Sequence, residues 1–534
     1  METTTESAAP PVREMAALVG SGSLAALLAW RAVERPAHGF LFVEEEPART
    51  FAELAHATAT LDSRLAAAGV DRGARVLVRV GNDERFLPAL VATWLRGAAA
   101  IPMHPAAPVA EVAAVADTLG AVAVVCAPDD PVRDADLTVP VVPSARFPDA
   151  EHGAESGTDP VSAAPVALPV PRDVAGSEPA LVLLTSGSTG TPKGVLLTHD
   201  NAWANLRSTV SAFRSDVGPS PLPTVPKPPN LVANPLSHTA GIVRLLFALY
   251  VGRDVVLLRK FSGALAKKLV DAHGIDQLTL NPAMLRMLLD ETQPGDTLGK
   301  VRYVSSGTAP LTPALREQFE QRFDVPVLQA YGQTEAFGGI AIESVKDVLA
   351  GRRRPGSVGK PLPGVELRIV APDGADTPSG EPGEIWVRSR SAMAGYVGGG
   401  DVPTTTGDWL RTGDLGRLDD DGYLYLTGRL KNIIICGGFN IAPEEVEAAL
   451  ENDERVVEAV VVSWPDERLG EIPVAVVESA AEPADVLAAV GPRLTAYKRP
   501  RRLFRVTALP RVPNGKVDRR AVAALVAGLM GDAG

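Results

Sequence analysis

The stretch Leu181-Val-Leu-Leu-Thr-Ser-Gly-Ser-Thr-Gly-Thr-Pro-Lys-Gly-Val195 constrains this chain more than any other. An apolar run of β type, Ala180 to Leu184, enters a loop holding three glycines, five hydroxyls and one lysine. A helix follows, with Trp203, Leu206, Val210 and Phe213 on its apolar face. Glycines without a Cβ let backbone N–H groups close around a polyanion. Ser186, Ser188, Thr189 and Thr191 add donors, and Lys193 adds a point charge. The pattern predicts a phosphate cradle. It differs from the GxxxxGK[ST] loop, because Pro192 precedes Lys193 and Gly194 follows it. A flexible Gly/Ser linker is the alternative, and the flanking strand, helix and lone lysine argue against it.

A chain of 534 residues exceeds one compact core, so two or more domains are expected. Its 46% apolar and 22% charged residues are ordinary for a soluble globular protein. The net charge of −12 argues against nucleic acid as the main partner, since binding a phosphate backbone needs a basic face. Two cysteines, Cys126 and Cys436, supply no disulfide framework and fit a reducing cytoplasm. The start, Met1-Glu-Thr-Thr-Thr-Glu, lacks the basic and apolar regions of a secretion signal. The best membrane candidate, Thr239 to Gly252, is short and broken by Arg244, so no span is expected.

Residues 1 to about 13 read as a loose tail. Leu24 to Val33 and Phe51 to Ala68 read as helices, and Ala74 to Val80 and Ala121 to Cys126 as strands. Such alternation predicts α/β layers around a largely parallel sheet. The aperiodic segment from Ser144 to Glu178 reads as a surface connection. Six prolines between Ser215 and Asn230 predict an extended loop that stays out of any sheet interior. Asp-Gly turns and sheet-like runs precede Gly428. Beyond Pro443 the pattern is helix 443–451, strand 456–463, strand 472–478, helix 483–490 and strand 503–507. Pro443 followed by Glu444 and Glu445 is a sound helix start.

Several motifs carry candidate chemistry: Asn234-Pro-Leu-Ser-His-Thr-Ala-Gly241, Tyr303-Val-Ser-Ser-Gly-Thr-Ala-Pro-Leu311 and Leu328-Gln-Ala-Tyr-Gly-Gln-Thr-Glu335. Arg411-Thr-Gly-Asp-Leu415 is followed by Gly428-Arg-Leu-Lys-Asn-Ile-Ile-Ile-Cys-Gly-Gly-Phe-Asn-Ile-Ala-Pro443, and last comes Leu509-Pro-Arg-Val-Pro-Asn-Gly-Lys-Val-Asp518. Asp414 could accept from both hydroxyls of a ribose, and Arg429 could reach ribose or phosphate with a planar fork. Taken singly, each has a plainer reading. His238 could be a structural histidine, Tyr331-Gly332 packing plus a turn, and Lys516 a solvated lysine.

Together with Thr185-Ser-Gly-Ser-Thr-Gly-Thr-Pro-Lys-Gly194, these motifs resemble the adenylate-forming superfamily of acyl-CoA synthetases, peptide-synthetase adenylation domains and luciferases. The resemblance runs from about Leu24 to Leu525. It implies an α/β fold with a large multi-subdomain N-terminal domain, 1–429, and a small α+β C-terminal lid, 430–534, hinged near Lys431. It implies that Thr185, Ser186, Gly187, Ser188, Thr189, Gly190 and Lys193 cradle the ATP phosphates. Gly307, Thr308, Ala309, Tyr331 and Gly332 would line the adenine, Tyr331 by stacking. Thr334 would bond a phosphate oxygen, and Glu335 would hold Mg2+. Asp414 and Arg429 are implied at the ribose, and His238 beside the carboxylate and α-phosphate. Lys516 is implied to swing over the site while charge moves toward pyrophosphate, an electrostatic role. The family's lid then turns, and Gly437 and Gly438 open a path for a pantetheine arm.

The implied reaction is ATP-dependent adenylation of a small carboxylic acid, then transfer to a thiol. Coenzyme A is the expected acceptor, with a carrier protein or a non-thiol nucleophile as rivals and a catalytically silent homologue as the further alternative. A monomer or homodimer is expected. Departures from the family pattern matter. Ser237 replaces the usual aromatic, and the same motif lacks the carboxylate by which amino-acid-activating relatives hold an ammonium group. Thr239 and Ala240 leave room for an acyl group. Arg244, six residues past His238, either snorkels to the surface or enters the acyl pocket to meet a second polar or anionic group.

Overall fold

The helix Thr239–Val251 shows how local sequence places the working parts. It begins after His238 and ends at Gly252, whose φ of 65° is the left-handed stop that glycine adopts without strain. Arg31, fully buried in the helix Ala25–Glu34, donates from Nε to the Leu249 carbonyl at 3.2 Å and from Nη2 to that of Tyr250 at 2.8 Å. A cation on the last carbonyls satisfies acceptors that the helix cannot, and opposes the macrodipole. That end is anchored in the core, and the other reaches the cavity described below.

The computed structural model of the chain describes residues 22–145, 147, 167–171, 173–185, 193–213, 228–308, 311, 313–397, 405–430, 434–441, 443–510 and 517–531. The helix read at Leu24 to Val33 spans Ala25–Glu34. The helix read at Phe51 to Ala68 spans Phe51–Ala67 and opens on a capping box. There Thr50 Oγ1 accepts from the Glu53 amide at 3.2 Å, and Glu53 Oε2 accepts from the Thr50 amide at 2.7 Å.

The central sheet has seven strands in the order Gly395–Val397, Lys193–Thr198, Pro179–Thr185, Ala99–Pro102, Arg75–Arg79, Ala123–Cys126 and Val141–Pro143. From Pro179–Thr185 to Val141–Pro143 the pairing is parallel, and the first two strands run antiparallel. A second sheet pairs Leu278–Leu280, Val304–Ser306 and Val327–Gln333 in parallel, then Gly338–Ile342 and Lys360–Pro361 antiparallel. Both follow α/β logic, with helices covering buried strands. Antiparallel strands from Val365–Val370 to Leu424–Arg429 form a further sheet.

Beyond residue 433 a separate five-stranded sheet and its helices enclose their own core, which includes Ile434, Val446, Val474, Val476 and Val522. The expected order of elements is present there, from the helix Pro443–Glu451 to the strand Arg502–Val506. Two elements were not anticipated: the hairpin of Ile434–Cys436 and Phe439–Ile441, and the helix Arg519–Gly531.

Two expectations need correction. The phosphate loop does not lead directly into a helix. The chain first returns as the strand Lys193–Thr198, and only then forms the helix His199–Phe213. Pairing Thr185 with Lys193 makes the loop the tip of a hairpin, a choice that helical periodicity downstream cannot reveal. The connection between Ser144 and Glu178 is not wholly superficial either, since Leu168, Val170 and Val174 are buried in its described part. The N-terminal tail and most of the proline-rich segment lie outside the described residues.

Candidate active site

One cavity gathers half of the singled-out residues. Its wall includes Thr185, His238, Thr239, Ala240, Arg244, Gly307, Thr308, Tyr331, Gly332 and Thr334 from the large body, and Gly437 and Gly438 from beyond residue 433. Ser186, Gly187, Ser188, Thr189, Gly190, Ala309, Lys431 and Lys516 lie outside the described residues. For Arg429 the backbone alone is described, paired with Asp414 across two antiparallel strands.

The mouth of the phosphate loop is held by pairing. Thr185 Oγ1 donates to the Lys193 carbonyl at 3.4 Å, and Lys193 is buried with Nζ 5.5 Å from the Tyr396 ring centroid. That is cation–π distance. The Tyr396 hydroxyl donates to Glu335 Oε1 at 2.8 Å. Burial, and then the Glu335 carboxylate, raise the Tyr396 pKa well above the ordinary phenol value, so it stays a donor. Tyr396 thus joins the two charges of the site. It sits in a short strand that pairs with Lys193–Thr198, and no motif flagged it.

Glu335 belongs to the 3-10 turn Thr334–Ala336. Thr239 Oγ1 donates to Thr334 Oγ1 at 3.1 Å, tying this turn to the start of the helix Thr239–Val251. A carboxylate next to a hydroxyl is a hard oxygen set, which suits Mg2+ shared with phosphates. Tyr331 and Asp414, both buried, meet directly, with the Tyr331 hydroxyl donating to Asp414 Oδ2 at 2.7 Å. Gly332 is required beside them because a Cβ there would lie 2.0 Å from the Gly338 carbonyl oxygen.

His238 is half-buried on the cavity wall. Burial, with His104 and Lys498 adding to it, pushes its pKa down to about 4, so the ring is neutral near pH 7. Its ring meets Phe439 edge-on at 4.6 Å between centroids, and Phe439 stacks on Tyr497 at 4.0 Å.

Phe439 follows the turn Gly437-Gly438, where φ values of 58° and 87° allow a two-residue hairpin that favours glycine. Asn281 Nδ2 donates to the Gly437 carbonyl at 3.3 Å. A Cβ on Gly438 would stand 2.9 Å from Thr308 Oγ1 and 3.1 Å from Asn281 Nδ2. The turn is therefore seated against the large body. Lys498 adds an ionic contact, with Nζ 2.5 Å from Glu445 Oε1 and 3.6 Å from Glu111 Oε1. Sequence reading missed Asn281, Phe439, Tyr497, Lys498 and Glu111 as site residues. Phe439 stood inside a quoted motif, and the others carried no signal. Cys436 is buried with its thiol pushed up to about 11, chiefly by burial, which favours a packing role. Arg244 lines the cavity with Ala240, Val243 and Phe247.

A family model described as AMP-binding enzyme matches residues 28–397, and one described as AMP-binding enzyme C-terminal domain matches 445–516. The chain is 35% identical over 516 residues to sulfoacetate–CoA ligase of Cupriavidus necator, covering 93% of this chain and 96% of the relative. The o-succinylbenzoate CoA synthetase of Bacillus subtilis is similar in structure. Its double mutant with a product analogue has a TM-score of 0.78 and 28% identity, covering 92% of this chain and 97% of that one. The same enzyme with its acyl-adenylate intermediate has a TM-score of 0.64 and 27% identity, covering 92% and 96%.

Proposed function

The chain belongs to the AMP-binding enzyme family as an AMP-forming acid–thiol ligase, and we propose a division of labour among its residues. It activates a carboxylic acid as the acyl-adenylate, releasing pyrophosphate, and then transfers the acyl group to coenzyme A. The observation that supports the assignment of roles is a chain of contacts: Lys193 lies over Tyr396, Tyr396 bonds Glu335 and Tyr331 bonds Asp414, while Tyr331, Thr334 and His238 line the cavity that the Gly437-Gly438 turn also lines.

In the first half-reaction a carboxylate oxygen attacks the α-phosphorus of ATP and the bond to pyrophosphate breaks. Lys193 and the hydroxyl-rich loop would hold the phosphates, Thr334 would bond a phosphate oxygen, and Glu335 would hold Mg2+, which would share the phosphates' charge. Asp414, oriented by Tyr331, accepts from the ribose. His238, neutral near pH 7, can donate a hydrogen bond to the reacting carboxylate without competing with it as a fixed cation. Lys516 supplies the mobile charge for this step. In the second half-reaction a thiolate attacks the acyl carbon, the C–O bond to AMP breaks, and AMP leaves. The seated turn is the arrangement that serves this step. Support comes from the higher score of the product-analogue complex, 0.78, than of the acyl-adenylate complex, 0.64, of one relative.

The test is a screen of small carboxylic acids by pyrophosphate release, first without a thiol and then with coenzyme A. At least one acid is expected to release pyrophosphate with ATP and Mg2+, and coenzyme A to convert that signal into thioester and AMP. Pyrophosphate release that coenzyme A leaves without thioester would remove the acceptor assignment. No release with any acid would remove adenylation.

A further inference from the structure

Buried arginines in this protein keep partners. Arg31 meets Glu34 and two backbone carbonyls, Arg79 meets Asp130 at 2.9 Å, Arg253 meets Asp276 at 3.0 Å and Arg316 meets Glu343 at 2.6 Å. Arg244 differs. It lies on the helix face that carries Ala240, Val243 and Phe247, all on the cavity wall. Among the described residues it makes no ion pair and no hydrogen bond. The ionisable groups that act on it from the neighbouring elements are Tyr303 and Arg253, one a neutral phenol and the other a cation already paired. Burial lowers its pKa, as expected for a guanidinium without a counter-ion.

A half-buried guanidinium on a cavity wall, with no carboxylate beside it among the described residues, offers a strong site to an anionic group of a ligand. The cavity holds further polar capacity. Ser237 Oγ and Gln333 Nε2, both able to donate to an anion, are buried without a hydrogen-bond partner among the described residues, and both residues line it. A plain alkyl acid would leave each of these groups unanswered. Asn205 and Val243 flank the same point, since a Cβ on Gly338 would stand 3.5 Å from Asn205 Nδ2 and 3.6 Å from Val243 Cγ2.

We propose that the acid activated by this enzyme carries a second anionic group, which Arg244 holds while the reacting carboxylate lies by His238. The proposal rests on the adenylation reading above and names the substrate class of that site. Arg244 is then a specificity-determining residue, and its guanidinium, unpaired among the described residues, is neutralised by substrate binding.

The test uses the full chain, ATP and Mg2+, with pyrophosphate release read for acids matched in size. Succinate is set against pentanoate and 3-sulfopropionate against hexanoate, so the two arms separate a carboxylate from a sulfonate as the second anion. Wild type is expected to favour the dianionic acid of at least one pair by kcat/KM. Arg244→Leu should raise KM for that acid about tenfold or more and reverse the preference, because the second anion loses its cation on the cavity wall. Arg244→Lys should recover part of the loss. Thermal melting and ATP binding of both variants serve as folding controls. If wild type and Arg244→Leu rank the acids alike, the proposal is overturned while adenylation stands. If wild type turns over no acid in either arm, the adenylation reading itself fails.

Discussion

At the scale of single residues, Tyr396 is where the structure adds most. Lys193 and Glu335 are far apart in sequence, and each has a motif of its own. Their spatial link is one phenol, with the Lys193 ammonium over its ring and its hydroxyl on Glu335. Removing the hydroxyl in Tyr396→Phe keeps the ring beneath the ammonium and takes one donor away from the carboxylate. A hydrogen bond to a charged group contributes about 1.5–3 kcal/mol, so the apparent KM for MgATP in pyrophosphate release should rise about tenfold or more. Thioester formation from preformed acyl-adenylate should change little, because phosphate binding is then complete. An unchanged MgATP saturation curve would make Tyr396 a packing residue. No signal in the sequence singles out this tyrosine, because its role exists only once the strand Gly395–Val397 lies beside Lys193–Thr198.

At the scale of elements, the Ile434–Cys436 and Phe439–Ile441 hairpin shows what a motif leaves undecided. Two adjacent glycines read alike in sequence, as an open path for a pantetheine arm. In the structure they differ. A Cβ on Gly437 meets Leu469 of its own sheet unit at 3.2 Å, whereas one on Gly438 meets Thr308 and Asn281 of the large body. Gly438→Val should therefore reduce thioester formation about tenfold or more while leaving pyrophosphate release within about twofold. It both places a β-branched residue at φ of 87° and crowds the seat of the turn. Equal losses in the two assays would mean that the turn serves both half-reactions. The same limit applies to the strand Lys193–Thr198. Its residues pattern as a short apolar run, and only the pairing with Pro179–Thr185 makes it a strand.

At the scale of the molecule, the seated turn is accompanied by a charge cluster that spans the two bodies. Lys498 is held by Glu445 on its own side and lies 3.6 Å from Glu111 on the other, with both Lys498 and Glu111 largely buried. Burial raises the Glu111 pKa and the Lys498 ammonium opposes that rise. Glu111→Gln removes the interbody charge and leaves the Lys498–Glu445 pair intact. Thioester formation should fall about three- to tenfold with pyrophosphate release unchanged, and a rise in the second rate would show that the contact holds the lid too tightly. By itself the sequence determined the family, the α/β class and the order of the main elements from Pro443 to Val506, because those depend on local patterning and on short runs of specific residue types. Tertiary structure alone decided that Tyr396 joins Lys193 to Glu335, that Gly438 faces Thr308, that Glu111 meets Lys498 and that Arg244 lines the cavity with no counter-ion among the described residues. Each of these depends on a distance between segments remote in sequence, and pairwise contact at that range leaves no trace in local periodicity.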